Sequence, residues 1–290
     1  MKQKIILLLL ALCFSLPSMA QHRHEISIAG GFGLSSLQYG VISSDHKNGT
    51  GAQAGLGYNF YFAPNWSVRT GVGLGFFNAK TTLGSTDTYK TVENQSHSYI
   101  TSTINGNGDL RFTYEYTGYE EKPSATLLTI PVMLQFETIG SKAFYFAVGG
   151  KIGIPLSAQY KTSGQLKTTG YNLELEVPIN DNLPDYGFGT YDVNHTTDWD
   201  LNLSVQLSVE AGVKWHLTDK LNLYSGVYFD YGLNDLNKNN NDDPTAFRLI
   251  NYQPKTPGEF IYGGIFNGSD KLYPVALGIT VRLSFGLGSL

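Results

Sequence analysis

Three histidines in the long polar segments of this 290-residue sequence have a carboxylate within four residues, and these side-chain types could perform hydrolytic chemistry. The pairs are Asp45 with His46, Glu93 with His97, and His195 with Asp198. A histidine oriented by a carboxylate can act as a general base for a serine or a water. No spacing motif joins the three pairs, so we predict no catalytic residues and keep a hydrolase of lipids or peptides as the alternative.

Two further groups have the atoms of metal ligands. His22 and His24 lie two residues apart, and the polar run 237–243 contains Asp242 and Asp243. The histidines need further ligands that the sequence does not place, and the polar run lacks the glycine and the terminal glutamate of a calcium-binding loop. We therefore predict neither a metal nor another cofactor.

The first twenty residues have the pattern of a secretory signal peptide. A basic start precedes a long apolar run, and small residues allow cleavage after Ala20. We therefore divide the chain into a signal peptide, residues 1–20, and one domain, residues 21–290. The only cysteine, Cys13, leaves with the signal peptide, so the domain is expected to have no disulfide.

Charge and composition narrow the class of protein further. The chain has 20 basic and 24 acidic residues, and loss of Lys2 and Lys4 with the signal peptide leaves 18 against 24, a net charge of −6. Such a balance gives no footprint for nucleic acid. No later run of eighteen apolar residues predicts a membrane helix, and the 33 glycines and 13% aromatic residues favour an all-β protein.

Residues 201–233 show the periodicity that dominates the chain. From Leu201 to Leu217 every odd position is apolar and every even position is not, and the alternation resumes after the short polar turn 218–220. Strands of globular proteins usually contain about five or six residues, whereas a strand that crosses a membrane needs about 9–11. The length and the wholly apolar face therefore predict membrane-spanning strands of an outer-membrane barrel.

The same alternation occurs eight times. The predicted strands are Ile26–Tyr39, Gly51–Phe62, Trp66–Ala79, Thr126–Glu137, Phe144–Ile154, Leu201–Leu217, Leu221–Tyr231 and Lys271–Leu287. Short turns at 63–65, 138–142 and 218–220 alternate with long connections at 40–50, 80–125, 160–198 and 234–270. An even count with this alternation is typical of outer-membrane proteins. The sequence thus predicts an all-β, eight-stranded antiparallel up-and-down transmembrane β-barrel, with long outer loops and both termini in the periplasm.

Every charged residue within the core of these strands lies in the polar register. The seven are Arg69, Glu137, Lys151, Glu210, Lys214, Asp230 and Arg282. Because a charge that faces lipid at mid-bilayer costs about 2–4 kcal/mol, we place these side chains in the lumen and the apolar register against lipid. Opposite charges in a narrow interior predict an ion-pair network and little conductance, with a narrow channel as the alternative.

Aromatic residues near the strand ends predict a girdle at the two membrane surfaces. The girdle residues are Tyr58, Phe60, Trp66, Trp199, Trp215, Tyr231 and Tyr273. A soluble sandwich or lipocalin-like barrel is the competing interpretation. It would turn the apolar register inward and the charges to water.

Several segments resemble one family of membrane proteins. They are the first strand GGFGLSS, the hairpin GYNFYFAPNWSVRTGVGLGFF, the strand TLLTIPVMLQFE and the closing strand LYPVALGITVRLSFGL. From about residue 24 to the end, the chain is similar to the outer-membrane β-barrel domain family of Bacteroidota, the PorT-like group, and to small barrels of the OmpA/OmpX type. The resemblance implies the fold and the location, and it carries no catalytic signature.

The long connections suggest the function. They exceed what anchoring in a membrane needs, and long connections in compact domains are usually functional. A hairpin is predicted at Tyr99–Ile104 and Leu110–Tyr116, with a candidate contact surface of four tyrosines. These are Tyr99, Tyr114, Tyr116 and Tyr119. We predict a monomeric, non-enzymatic scaffold or binding protein that contacts outer-membrane lipid and, through its loops, other envelope or extracellular proteins.

Overall fold

The computed structural model describes residues 23–39, 44–83, 88–95, 110–140, 142–173, 175–180, 182–183, 188–238, 250–252, 260–262 and 271–287. The strands are β1 (His24–Tyr39), β2 (Ser44–Ala63), β3 (Trp66–Leu83), β4 (Thr88–Gln95), β5 (Leu110–Glu137), β6 (Lys142–Asn172), β7 (Val177–Ile179), β8 (Gly189–Asp198), β9 (Ser204–His216), β10 (Leu221–Gly232), β11 (Ile250–Tyr252), β12 (Phe260–Tyr262) and β13 (Leu272–Gly286). No helix in these ranges could span a membrane. The predicted signal peptide lies outside the described residues.

Eight strands close into an antiparallel ring. They pair in the order β1-β2-β3-β5-β6-β9-β10-β13, and β13 pairs back to β1. The predicted eight-stranded barrel is therefore confirmed. Short connections after β2, β5 and β9 lie at one end, together with the start of β1 and the end of β13. We call this the turn end and the opposite end the loop end.

The ring has an apolar outside. Successive side chains of a strand point to opposite faces, so one register of each strand faces outward. The exposed outward residues include Ile28, Phe32, Leu56, Val72, Val132, Phe144, Ile152, Val227 and Ile279. Such a continuous apolar surface would be unstable in water and marks the part of the barrel that contacts lipid. We call it the apolar belt.

Strands β5 and β6 continue far beyond the belt. They contain 28 and 31 residues, and they remain paired from Glu137 beside Tyr145 to Leu110 beside Asn172. The sequence analysis predicted long polar connections at 80–125, with a hairpin only at Tyr99–Ile104 and Leu110–Tyr116, and at 160–198, and it was wrong about where these strands begin and end. The segments looked like loops because they are polar, but a strand that leaves the membrane faces water and no longer needs an apolar outer register.

Further strands widen this extension. Strand β4 pairs with β5, with Gln95 opposite Leu110, and strands β7 and β8 pair with β6. A hairpin at this position was predicted from the sequence, with Tyr99–Ile104 as its first strand. That segment lies outside the described residues, and β4 is the strand that pairs with the start of β5.

An aromatic cap fills the interior of the loop end. Its buried side chains include Leu37, Tyr39, Phe77, Tyr114, Tyr116, Tyr119, Leu127, Tyr160, Leu166, Phe188, Trp199, Tyr228, Leu236 and Leu272. Tyr114, Tyr116 and Tyr119 are at most 4% exposed, so their predicted role as a contact surface is wrong. They point inward because β5 passes through this region as a strand rather than a loop. Tyr99 lies outside the described residues.

Six of the seven predicted girdle residues lie on the outer face near the rims. Tyr58, Phe60, Trp66 and Trp215 are at the turn end, and Tyr231 stacks on Tyr273 at the loop end with 6.5 Å between ring centroids. The seventh assignment was wrong. Trp199 is buried in the aromatic cap, with its ring edge to face against Tyr160 at 6.1 Å.

Candidate functional site in the barrel lumen

The lumen at the level of the belt holds all seven charged residues selected from the sequence. Each lies on the inward register of its strand: Arg69 on β3, Glu137 on β5, Lys151 on β6, Glu210 and Lys214 on β9, Asp230 on β10 and Arg282 on β13. Six are buried, and Lys151 is largely shielded. The alternation that turns apolar side chains to lipid thus gathers charges from six strands in one narrow space.

The group nearest the turn end centres on Lys214, which is fully buried. Its Nζ lies 2.9 Å from Glu137 Oε2 and 3.3 Å from Glu25 Oε1. The half-exposed Arg23 approaches the same carboxylates, with Nη2 at 2.6 Å from Glu25 Oε1 and 3.7 Å from Glu137 Oε2. Two cations and two carboxylates therefore balance one another at this end of the lumen.

Two tyrosines complete that group. The hydroxyl of Tyr61 donates to Glu137 Oε1 at 2.7 Å, and the hydroxyl of Tyr224 lies 2.9 Å from the same atom and 3.0 Å from Glu25 Oε2. Lys214 Nζ also lies 5.0 Å from the ring centroid of Tyr224. The carboxylates are thus satisfied by several donors, which a buried charge requires.

In the middle of the lumen, Arg69 and Glu210 form a bidentate ion pair. Nη2 lies 2.5 Å from Oε2 and Nη1 lies 3.1 Å from Oε1, and the hydroxyl of Tyr145 donates to Oε1 at 2.9 Å. A Cβ at position 226 would lie 2.6 Å from that hydroxyl. Gly226 therefore leaves the space in which Tyr145 reaches the carboxylate.

A third ion pair lies toward the loop end. Lys151 Nζ is 2.8 Å from Asp230 Oδ2, and Ser208 donates to Asp230 Oδ1 at 2.6 Å. Lys151 also donates to Gln53 Oε1 at 3.3 Å. The aromatic cap begins at this level with Tyr228, whose ring centroid lies 5.8 Å from Lys151 Nζ, so the lumen changes here from charged groups to mainly apolar ones.

Arg282 departs from the predicted network because it contacts no carboxylate of the described part of the chain. Its Nη2 donates to Gln135 Oε1 at 2.9 Å, and its guanidinium carbon lies 4.0 Å from the ring centroid of Tyr224 and 5.4 Å from that of Tyr145. Ring faces attract a cation, so they replace part of a counter-ion. The sequence could show that position 282 faces the lumen, but not which residues lie across from it.

A comparison with protein-family models decides the family. The model described as an outer membrane protein beta-barrel domain matches residues 18–238. The chain belongs to that family. Membership agrees with the closed ring and the apolar belt, and it places the chain in the outer membrane. No curated protein sequence matches the chain.

Solved outer-membrane barrels are similar to the chain at low identity. OprG from Pseudomonas aeruginosa is 12% identical with a TM-score of 0.37, covering 93% of this chain and 98% of that one. Neisserial surface protein A is 10% identical, with a TM-score of 0.33 and coverages of 90% and 95%. The outer membrane protease OmpT from Escherichia coli is 10% identical, with a TM-score of 0.32 and coverages of 94% and 99%.

The sequence analysis missed two charged residues of the lumen in this chain. Glu25 is buried and hydrogen bonded to Ser284 and Tyr224, and Arg23 closes the turn end beside it. The predicted first strand began at Ile26. Extending its alternation by one residue would have placed Glu25 in the lumen register.

The predicted histidine pairs do not form one catalytic site among the described residues. His46 Nε2 lies 2.7 Å from Ser36 Oγ, and its Nδ1 lies 2.9 Å from Thr81 Oγ1. Ser36 is only 2% exposed, so a substrate cannot reach its hydroxyl in this conformation. His195 is exposed on β8, and His97 lies outside the described residues. Within the described residues, no cluster of His, Cys, Asp and Glu could hold a metal ion.

The aromatic cap contains its own buried carboxylate. Glu121 is fully buried, and the hydroxyl of Tyr39 donates to its Oε1 at 3.3 Å. Burial raises the pKa of Tyr39 and Tyr119 well above the ordinary value of 10, and the negative charge of Glu121 raises it further. Both phenols therefore stay protonated where an exposed tyrosine would ionise.

Proposed function

We propose that this outer-membrane barrel is a non-enzymatic scaffold or binding module that acts through the sheet extending beyond the apolar belt. One observation carries the proposal: β5 and β6 contain 28 and 31 residues, whereas crossing a membrane needs about 9–11. The lumen below is occupied by ion pairs and the loop end by the aromatic cap. A closed interior with a long external sheet favours contact with partners over passage of solutes.

The finer assignments belong to the same proposal. We infer cleavage after Ala20, a monomeric barrel, a periplasmic turn end and an extracellular loop end. Within the family, the segments quoted from the sequence favour the PorT-like group. Short turns in the periplasm and long connections outside are the usual arrangement of such barrels.

The tip of the extension supplies a contact surface. Leu175 and Val177 are 55% and 45% exposed there, although they lie at the end of β6 farthest from the belt. Glu176 between them has a φ of 52°, and the backbone N–H of Leu175 donates to Asn172 Oδ1 at 2.9 Å, which ties Leu175 to the end of β6. Exposed apolar side chains outside the lipid suit a protein partner.

Affinity capture from a detergent extract tests the binding role. The variant L175S/V177S removes the apolar tip, while I139S makes the same chemical change at the turn end, where Ile139 is 82% exposed. We expect the tip variant to lose at least one partner that the wild-type chain and I139S retain. Equal recovery of every partner by all three chains would contradict binding at the tip.

Cysteine labelling on intact cells tests the orientation. Thr190 is exposed on β8 at the loop end, and Lys220 is exposed in the turn after β9. With Cys13 removed in the signal peptide, a single introduced cysteine would be the only thiol. A membrane-impermeant maleimide is expected to label T190C and not K220C. The reverse pattern would show that the loop end faces the periplasm.

Two alternatives have direct tests. A narrow channel would give stable currents in planar bilayers, where we expect little or no conductance from the wild-type chain. A hydrolase would depend on the hydrogen bond between Ser36 and His46. Loss of a lipid- or peptide-hydrolysing activity in H46A would favour the enzyme, whereas no activity in the wild-type chain agrees with the scaffold.

A further inference from the structure

Among the described residues, the lumen contains one charge without an ionic partner. Arg69 pairs with Glu210, Lys151 pairs with Asp230, and Lys214 and Arg23 share two carboxylates. Arg282 is the remaining cation of the described lumen, and it is 2% exposed. A cation that is removed from water without a counter-ion is strongly destabilising, so its surroundings should provide negative charge.

The guanidinium of Arg282 also has unused donors. Nη2 donates to Gln135, but Nε and Nη1 are buried and find no acceptor among the described residues. The hydroxyl of Ser27, on the adjacent strand β1, is likewise buried without a hydrogen-bond partner there. Buried polar groups are rarely left unsatisfied, and two neighbouring side chains with that property indicate a common ligand.

Both side chains line one cavity of about 90 Å³. Arg69, Lys151 and Glu210 also reach its wall, so three cations and one carboxylate surround it. About 10–15 Å³ of such volume is enough to hold one water, so the cavity has room for several water-sized particles. Three of the side chains that line it are cations, so it suits a small anion and disfavours a metal cation.

We propose that this cavity binds a small monovalent inorganic anion, such as chloride, between the guanidinium of Arg282 and the hydroxyl of Ser27. The anion accepts hydrogen bonds from Nε, Nη1 and Oγ, and it neutralises the charge that no carboxylate reaches. Its binding stabilises the folded barrel, because the site is assembled from β1 and β13 only after they pair. Water fills the rest of the cavity.

Thermal unfolding in two salts tests the site. The mature chain is refolded in a non-ionic detergent with either sodium chloride or sodium gluconate at the same ionic strength, since gluconate is much bulkier than chloride. At a chloride concentration tenfold above Kd, we expect a midpoint about 3–5 °C higher in chloride for the wild-type chain. Equal midpoints in the two salts would overturn the proposal and show that the cavity holds water only.

Variants separate this site from general salt effects. S27A removes one donor and R282Q removes the charge, so the chloride-dependent shift should shrink in the first and vanish in the second. K220Q changes an exposed charge at the turn end and should keep the full shift. A full shift in both S27A and R282Q would contradict binding at this cavity.

Bromide gives a direct readout that does not depend on the variants. Crystals of the wild-type chain grown in sodium bromide should show an anomalous scattering peak within hydrogen-bond distance of Arg282 Nε or Nη1. Bromide peaks confined to the protein surface would overturn the assignment. This measurement also decides the question if R282Q fails to fold.

Discussion

The belt region and the extension of the same barrel have opposite arrangements of polar and apolar residues. Within the belt, Ile152 and Ile154 of β6 face outward, while Lys151 faces the ion-paired lumen. Beyond it, Tyr160 and Leu166 of the same strand are buried inside, while Lys161 is exposed. The same strand therefore has an apolar outer face where it contacts lipid and a polar outer face where it contacts water. The hydrophobic pattern follows the surroundings of each segment rather than the strand as a whole.

The change of solvent coincides with an irregularity in the pairing of β5 and β6. The register shifts by one residue between Thr126 and Leu127, where Leu127 pairs with Pro155 and Thr126 pairs with Ser157. An extra residue in one strand reverses which positions of that strand point inward. On β6, odd positions face the lumen below the bulge, and even positions face the cap above it.

Removing a lumen charge should have the largest effect. Glu210→Ala leaves Arg69 buried without its bidentate partner, so we expect a loss of about 3–5 kcal/mol in the free energy of unfolding. Denaturant unfolding in detergent measures it. An unchanged midpoint would show that Arg69 is hydrated rather than ion paired, and the lumen would then differ less from the exterior.

The two regions should also differ in how they tolerate loss of a leucine. Leu127 is fully buried in the cap, whereas Leu134 on the same strand is exposed on the belt. Leu127→Ala should lower the free energy of unfolding by about 2–5 kcal/mol through cavity formation. Leu134→Ala should cost less, because lipid fills the space. Equal losses in a denaturant titration would mean that the cap is not packed.

Alkaline pH should weaken the cap. Because burial raises the folded-state pKa of Tyr39 and Tyr119 above the unfolded value of about 10, their contribution is full below pH 10 and is lost as the pH rises above it. The loss is about 1.4 kcal/mol per pH unit for each phenol. Fluorescence of Trp199, with Trp66 and Trp215 replaced by Phe, reports on the cap. Denaturant unfolding of that variant is followed at pH 9 and at pH 11, and an equal midpoint at the two pH values would contradict the burial of these phenols.

The smallest effect is expected on the outer face of the extension. Burial disfavours the charge of Glu120, but hydrogen bonds from Lys122 and Lys80 lower its pKa overall. Its contribution is therefore present above the ordinary pKa and is lost as the pH falls through the lowered value. Solvent screens the interactions of Glu120 with the two lysines. Glu120→Gln should therefore lower the free energy of unfolding by at most about 0.5 kcal/mol at pH 7 and by less at pH 3. A larger loss of unfolding free energy would show that this outer face of the extension is shielded from solvent.

Much of the fold could be predicted from the sequence, because lipid imposes a strict alternation on each strand that crosses it. The eight strands and the lumen register of Glu210 and Arg282 follow from that alternation. Its meaning is lost where lipid ends: Tyr114 and Tyr116 alternate with polar residues as any strand would, but the sequence does not say which side is water. The pairing of Arg69 with Glu210, 141 positions apart, depends on how the ring closes and cannot be deduced from either strand alone.

The central claim is that β6 passes from lipid into water while it continues as one strand. Single cysteines at positions 152, 154, 161 and 167, all on its outer face, test it directly in reconstituted vesicles treated with a water-soluble maleimide on the loop-end side. We expect rapid labelling of K161C and K167C and almost none of I152C and I154C, with detergent or denaturation restoring the reaction at both. Equal labelling at all four positions would contradict the boundary between the belt and the extension.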